Sequence, residues 1–234
     1  MNARQPDEPI PFLTKEERDA LVLEFQRLAA RLAQARLIAP ATSTRLMRTI
    51  HRERRLADER QGHLADLVFN ILVSIENSIA HIRLNRPAKR NAVNNGLLQD
   101  IEACFDSLGS DAPVVVISGE GAHFSAGLDL SEHQIRSPFE VLQHSQWWHK
   151  VFQKIQFGGR PVVSALQGAV VGGGLELATS THVRVADTSA FFQLPEGQRG
   201  IFVGGGASVR VGKIIGPDRM TEMMLTGRRY SAED

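Results

Sequence analysis

Cysteine is nearly absent: Cys104 is the only one in 234 residues. It cannot close an internal disulfide, which excludes a small stapled secreted scaffold and makes a reducing cytoplasm the expected compartment. Long apolar runs are also missing. The most conspicuous uncharged stretch, Pro161 to Leu175, is too short and too rich in glycine to span a bilayer. Met1 to Pro11 has no apolar core of the kind a signal peptide needs, and Glu16, Glu17, Asp19 and Glu24 argue against an acid-poor transit peptide. Excess charge of either sign is lacking too. With 27 basic and 26 acidic residues the formal net charge is +1, so there is no global electrostatic case for nucleic acid or an anionic membrane as partner. What is present, 42% hydrophobic and 23% charged residues, suits a soluble globular protein and excludes wholesale disorder, collagen-like repetition and a membrane bundle.

The chain has two textures. Residues 1–68 contain a single glycine, Gly62, and read as helical. Thr14 and Glu17 have capping-box spacing, and Leu21, Phe25, Leu28, Leu32 and Ala35 then form one apolar stripe that ends before Pro40. A weaker pattern holds Leu46, Met47 and Ile50 and runs into His51-Arg52-Glu53-Arg54-Arg55. This segment reads either as a helical hairpin with a solvated basic face or as a partner-binding or self-associating helix. Arg45 to Arg60 is no nucleic-acid patch, since Glu53, Asp58 and Glu59 interrupt its arginines and no aromatics interleave them.

From Phe69 to Asp234 strands and helices alternate, which predicts a layered α/β domain. Phe69 to Ile75 and Ile79 to Leu84 read as strands joined by an Asn77-Ser78 turn, and Asn85-Arg86-Pro87 breaks the second. Leu97, Leu98, Ile101 and Phe105 have helical spacing, and Pro138 to Phe157 reads as a helix with proline at its start. The runs Pro113–Ser118, Pro161–Leu166 and Val183–Ala186 predict three buried strands.

Chemistry concentrates in a few places. A buried strand leads into Gly172-Gly173-Gly174 and then helical residues, an arrangement that offers N–H groups to an anion or oxyanion, or that serves tight helix–strand packing. Neither this triplet nor Gly204-Gly205-Gly206 completes a dinucleotide fingerprint, and Gly206 to Lys213 fails the spacing of a phosphate loop. Ser125-x-Gly127 is half of a nucleophile elbow, with His123 where the first glycine belongs. His123, His133, His144 and His149 lack ligand spacing, so no metal site is expected. Two acids stand in apolar company: Glu176, just after the glycine triplet, and Glu196 in Leu194-Pro195-Glu196. A carboxylate in such surroundings has a raised pKa and exchanges protons near neutrality, while the structural alternative is a paired acid.

Several segments in order resemble the crotonase, or enoyl-CoA hydratase/isomerase, superfamily. They are Ile82 to Ala92 (Ile-Arg-Leu-Asn-Arg-Pro-Ala-Lys-Arg-Asn-Ala), Phe124 to Leu130, Gly172 to Leu177, Leu194-Pro195-Glu196 and Tyr230-Ser231-Ala232-Glu233. The resemblance covers about Phe69 to Asp234 and implies a spiral of ββα units acting on acyl-CoA thioesters. It implies that the N–H groups of Leu128 and Gly173 form an oxyanion hole, that Glu176 helps activate water and that Glu196 exchanges a proton with a substrate carbon. Ala88, Lys89, Arg90, Ala126 and Asp129 become the implied CoA contacts. Coenzyme A belongs to the substrate, so no separate cofactor is expected. A 2-enoyl-CoA hydratase is the leading expectation; an isomerase working mainly through Glu196 and a non-catalytic acyl-CoA-binding or helix-mediated interaction protein are the alternatives. The family pattern also implies a homo-trimer or hexamer and further helices beyond Tyr230 to Glu233, so a chain ending at Asp234 reads as shortened. Residues 1–68 have no counterpart in that pattern and read as a helical N-terminal extension: either the chain is a shortened or rearranged gene product, or these helices do some of the missing covering.

Overall fold

The computed structural model describes residues 70–132 and 137–234. The helical readings over residues 1–68, and His133, lie outside the described residues.

The first hairpin, β1 (Ile71–Glu76) and β2 (Ile79–Leu84), turns on Asn77 and Ser78, both with positive φ, as a two-residue primed turn requires. β3 (Val114–Gly119), β4 (Val162–Leu166) and β6 (Val183–Ala186) add in parallel to β2, giving a five-stranded sheet in the order β1-β2-β3-β4-β6. Parallel neighbours need crossovers, and α1 (Asn95–Ser107) and α2 (Pro138–Phe157) supply two of them. Asn94 caps α1 by accepting from the Leu97 N–H at 2.9 Å. Ser137 and Glu140 form a reciprocal capping box at the start of α2, with Pro138 at its first position.

The core lies between this sheet and these helices. Ala80, Ile82, Leu84, Val115, Ile117 and Val162 from the strands meet Leu97, Leu98, Ile101, Val151, Phe152 and Ile155 from the helices. One of the expected buried strands differs. β6 forms as predicted, but it is the sheet's edge, and Val183 and Val185 are 52% and 59% exposed. An apolar run specifies a strand, whereas its cover depends on which element comes next in the sheet.

A second, smaller sheet carries the later half of the chain. It pairs β5 (Ala169–Val171) with β7 (Phe191–Gln193) in parallel and β7 with β8 (Tyr230–Ser231) antiparallel. β5 runs straight into α3 (Gly173–Ser180), every residue of which is buried. Two further helices, α4 (Ala207–Ile215) and α5 (Pro217–Thr226), return the chain to β8.

α3 sits very close to the loop that follows β3. A methyl group built on Gly174 would lie 2.6 Å from the Ser125 carbonyl oxygen and 2.7 Å from its Cβ. Gly174→Ala therefore sets two effects against each other. Alanine is favoured over glycine in a helix by about 1 kcal/mol, but here its methyl meets backbone that cannot step aside. Steric displacement wins: Gly174→Ala is expected to lower the midpoint of urea unfolding, and an unchanged or raised midpoint would contradict this packing.

Candidate active site

Strand register explains how the distant motifs meet. Ser125 forms an isolated parallel bridge with Val170. The Ser125 N–H donates to the Ala169 carbonyl at 2.9 Å, and the Val171 N–H donates back to the Ser125 carbonyl at 3.0 Å. Two residues further along both segments, Gly127 and Leu128 come beside Gly172 and Gly173. A methyl on Gly127 would stand 3.2 Å from the Gly173 nitrogen, and one on Gly173 would stand 3.5 Å from the Leu128 nitrogen. On the other side of β5, Val171 pairs with Gln193, so the chain leaving β7 carries Glu196 over the start of α3. Leu128, Gly173, Glu176 and Glu196 all line one cavity of about 410 Å³.

The two N–H groups point into that space for reasons visible in the backbone. The Gly127 carbonyl accepts from the Val93 N–H at 2.7 Å, and the Asp129 N–H donates to the Val93 carbonyl at 2.9 Å. Both neighbours of Leu128 thus face Val93. Because successive N–H groups of an extended segment alternate in direction, the Leu128 N–H faces away, and it has no acceptor among the described residues. Gly173 begins α3, where an N–H has no partner within the helix, and it too lacks an acceptor among the described residues. The preceding residue, Gly172, has φ +51° and ψ −123°, and a methyl there would meet Glu196 Oε1 at 2.6 Å. Only glycine combines that conformation with that closeness.

The two carboxyl groups are buried in different ways. Glu176, in the first turn of α3, is 3% exposed. Its Oε1 accepts from the Gly205 N–H at 2.7 Å and the Ala207 N–H at 3.1 Å, so it caps the N-terminus of α4. Burial pushes its pKa up; the N–H groups of Ala207 and Gly205 and the charge of Arg210 oppose that rise. The triplet Gly204-Gly205-Gly206, which fits no nucleotide motif, serves here. A methyl on Gly205 would stand 2.7 Å from Glu176 Oε2, so the triplet lets backbone wrap the carboxylate.

Glu196, 7% exposed, follows β7 and has its Oε2 buried without a hydrogen-bond partner among the described residues. Its pKa is raised to about 7, chiefly by burial; its own backbone N–H opposes that rise, the neighbouring charge of Glu176 adds to it and Arg199 pulls slightly the other way. An acid poised there can both hold and release a proton at neutral pH.

The implied CoA contacts are placed unevenly. Ala88, Lys89 and Arg90 lie exposed at a short 3-10 turn (Pro87–Lys89), and the Ala126 N–H donates to the Arg90 carbonyl at 2.9 Å, so these four positions are contiguous. Asp129 lines the cavity but its carboxylate is engaged. Oδ2 pairs with Arg86 at 2.7 Å, and Oδ1 accepts from the Ser131 N–H at 3.1 Å and hydroxyl at 2.6 Å. Ser125 is no nucleophile here: its buried hydroxyl donates to the Asn91 carbonyl at 2.8 Å. His123 Nδ1 accepts from the Ala169 N–H at 3.1 Å. Among the described residues no three metal-ligating side chains come together, and no helix is long and apolar enough to cross a membrane.

One lining residue that carried no motif signal is Trp148. Trp148 packs its ring edge against Gly173, within 2.8 Å of where a methyl would stand, and its Nε1 donates to His144 Nε2 at 3.3 Å. Helical spacing in α2 identifies such residues only as core. Asn91, with φ +53°, accepts from the Arg86 N–H at 2.8 Å and donates to the Glu120 and His123 carbonyls at 2.9 and 2.7 Å. It thereby ties the segment after β2 to the loop after β3.

This geometry meets a matching family model. Residues 74–234 match the model described as enoyl-CoA hydratase/isomerase. The chain belongs to the enoyl-CoA hydratase/isomerase family. It is similar to the probable mitochondrial enoyl-CoA hydratase 2 of Arabidopsis thaliana, 34% identical over 166 residues, which cover 70% of this chain and 55% of that protein. It is also similar to the mitochondrial Delta(3,5)-Delta(2,4)-dienoyl-CoA isomerase of Rattus norvegicus, 30% identical over 177 residues, covering 70% of this chain and 54% of that one. Among solved structures, a putative enoyl-CoA hydratase from Rhodopseudomonas palustris superposes with a TM-score of 0.69 at 55% identity, covering 70% of this chain and 64% of the other. The chain thus spans about half the length of these curated relatives.

The buried acid has a consequence for stability. Glu196 has a folded pKa of about 7 against an ordinary 4.5, so between those values the folded state holds more protons than the unfolded chain. Stability therefore falls as pH rises through that window, by roughly 3 kcal/mol at one pKa unit per 1.36 kcal/mol. Glu196→Gln is expected to raise the thermal midpoint at pH 8 and to leave it nearly unchanged at pH 4.5; equal effects at both pH values would contradict the assignment.

Proposed function

We propose that this chain carries the catalytic site of an enzyme that adds water across the double bond of a 2-enoyl-CoA thioester. The supporting observation is that two N–H groups without an acceptor among the described residues and two buried carboxyl groups open on one cavity. The contiguous positions Ala88, Lys89, Arg90 and Ala126 would meet the CoA portion, and the thioester carbonyl would accept from the N–H groups of Leu128 and Gly173.

In this reading the oxygen of a water held beside Glu176 bonds to the β-carbon while Glu176 takes its proton. The double-bond electrons shift towards the thioester carbonyl and form an enolate. Leu128 and Gly173 hold that oxyanion more strongly than the ground-state carbonyl, which lowers the barrier. Each such donor is worth about 2.7–4 kcal/mol in comparable sites. Glu196 gives its proton to the α-carbon on the same face, giving syn addition. The pair begins and ends with a single proton, carried first by Glu196 and afterwards by Glu176. Catalysis therefore needs one proton on the pair, and its loss defines the alkaline limb.

The Oε2 of Glu196, without a hydrogen-bond partner among the described residues, favours a second reading. Alone it could lift a proton from one carbon and return it to another, the chemistry of an enoyl-CoA isomerase, and one relative is a dienoyl-CoA isomerase.

Purified full-length chain is expected to consume crotonyl-CoA, with loss of enoyl-thioester absorbance and formation of the 3-hydroxyacyl thioester. Glu196→Gln should lower that rate by about 100- to 10,000-fold, the range of general acid–base contributions. Shift of a 3-enoyl-CoA double bond without hydration would favour the isomerase, and CoA-thioester binding with no turnover of either substrate would remove both. For the parent chain, kcat/KM for hydration should decline as pH rises past about 7, where Glu196 releases its proton. A profile flat from pH 6 to 9 would exclude that proton from the rate-determining step.

A further inference from the structure

Arg86 and Asp129, 43 residues apart in sequence, form a nearly dry ion pair at 2.7 Å, their side chains 16% and 6% exposed. Asp129 directly follows Leu128, and the Arg86 guanidinium also donates to the carbonyl of Ala92, the residue before Val93. Val93 is the backbone partner that turns the Leu128 N–H outward, through its bonds to Gly127 and Asp129. Arg86 thus grips both strands of that two-stranded bridge. Its own N–H is held in turn by Asn91 Oδ1. Burial by itself would raise the Asp129 carboxyl, yet the bonds from Ser131 and Arg86 hold it below its ordinary range.

We propose that the Arg86–Asp129 pair is the positioning device of the active site, fixing the direction of the Leu128 N–H towards the thioester oxygen. This rests on the oxyanion-hole reading given above. It also reassigns Asp129. A carboxylate that accepts from Arg86 on one oxygen and twice from Ser131 on the other is already engaged in holding its own loop, and a negative charge does not attract phosphate. The fork matters as well as the charge. Arg86 reaches a carboxylate and a carbonyl simultaneously, which a lysine ammonium does not reproduce in the same planar geometry.

A positioning role differs from a merely structural one in what it perturbs. Tilting one donor weakens enolate stabilisation and carbonyl polarisation while leaving CoA contacts intact, so kcat falls and KM barely moves. The probe is 4-(dimethylamino)cinnamoyl-CoA, a push–pull thioester whose absorbance shifts to the red as its carbonyl is polarised. The full-length parent chain is expected to show the red shift. Asp129→Asn keeps the side-chain shape and Arg86→Lys keeps the charge; each should bind the probe while losing at least half of its red shift. Each should also lose about 100-fold in kcat for hydration, the cost of a displacement near 1 Å. Arg83→Ala, which breaks only the more exposed Arg83–Glu120 pair nearby, should retain both signals.

Full red shift and full kcat in folded Asp129→Asn and Arg86→Lys would overturn the positioning role and leave the oxyanion hole standing. Should Asp129→Asn not fold, Arg86→Lys carries the same two readouts. Tight probe binding by the parent chain with no red shift would overturn the oxyanion-hole reading itself, and the positioning role with it.

Discussion

Desolvation of two carboxyl groups at one cavity is the constraint around which the rest of this structure is arranged. Water normally stabilises a carboxylate, and removing it raises the pKa unless the protein supplies replacements. Glu176 receives them as N–H groups at the start of α4, so the two helices are tied through one side chain. Glu196 has one buried oxygen with no partner among the described residues, and its proton affinity moves to neutrality. The asymmetry separates an anchored acid from one free to exchange a proton. Stability given up at Glu196 is the counterpart of the proton exchange proposed for it.

A second requirement follows: backbone must approach these groups closely. The glycines of two triplets meet it, Gly172 beside Glu196 and Gly205 beside Glu176. Parallel register then decides which groups converge. Short strands place the loop after β3, the start of α3 and the chain after β7 side by side, so N–H donors and acids arrive from segments up to 68 residues apart, Leu128 and Glu196 being the extremes. Ligand sites of parallel sheets gather at such carboxyl ends because loops leave there together.

Much of this was legible in the residues. The hairpin, α1, α2 and the strands of the large sheet follow from apolar periodicity, capping residues and turn chemistry, all of which act over a few positions. The motif segments pointed to Leu128, Gly173, Glu176 and Glu196, and the structure brings these four to one cavity. Less visible were elements whose identity depends on partners. β5 is three residues long inside a glycine-rich run, and β8 is two; neither has enough length to show a period. The exposure of Val183 and Val185 depends on β6 standing at an edge, which no local pattern encodes. Asp129 illustrates the same limit, since its neighbour in sequence is the cavity-lining Leu128 but its partner, Arg86, is distant.

Motif order and short-range periodicity are written along the chain, and they sufficed to indicate the family, the kinds of element and the two acids that share the cavity. Tertiary structure alone decided the direction of the Leu128 N–H, the different environments of Glu176 and Glu196, the use of the second glycine triplet and the pairing of Asp129 with Arg86. Those properties arise from burial, register and contact between segments far apart, and water exclusion at a point is a property of everything packed around it.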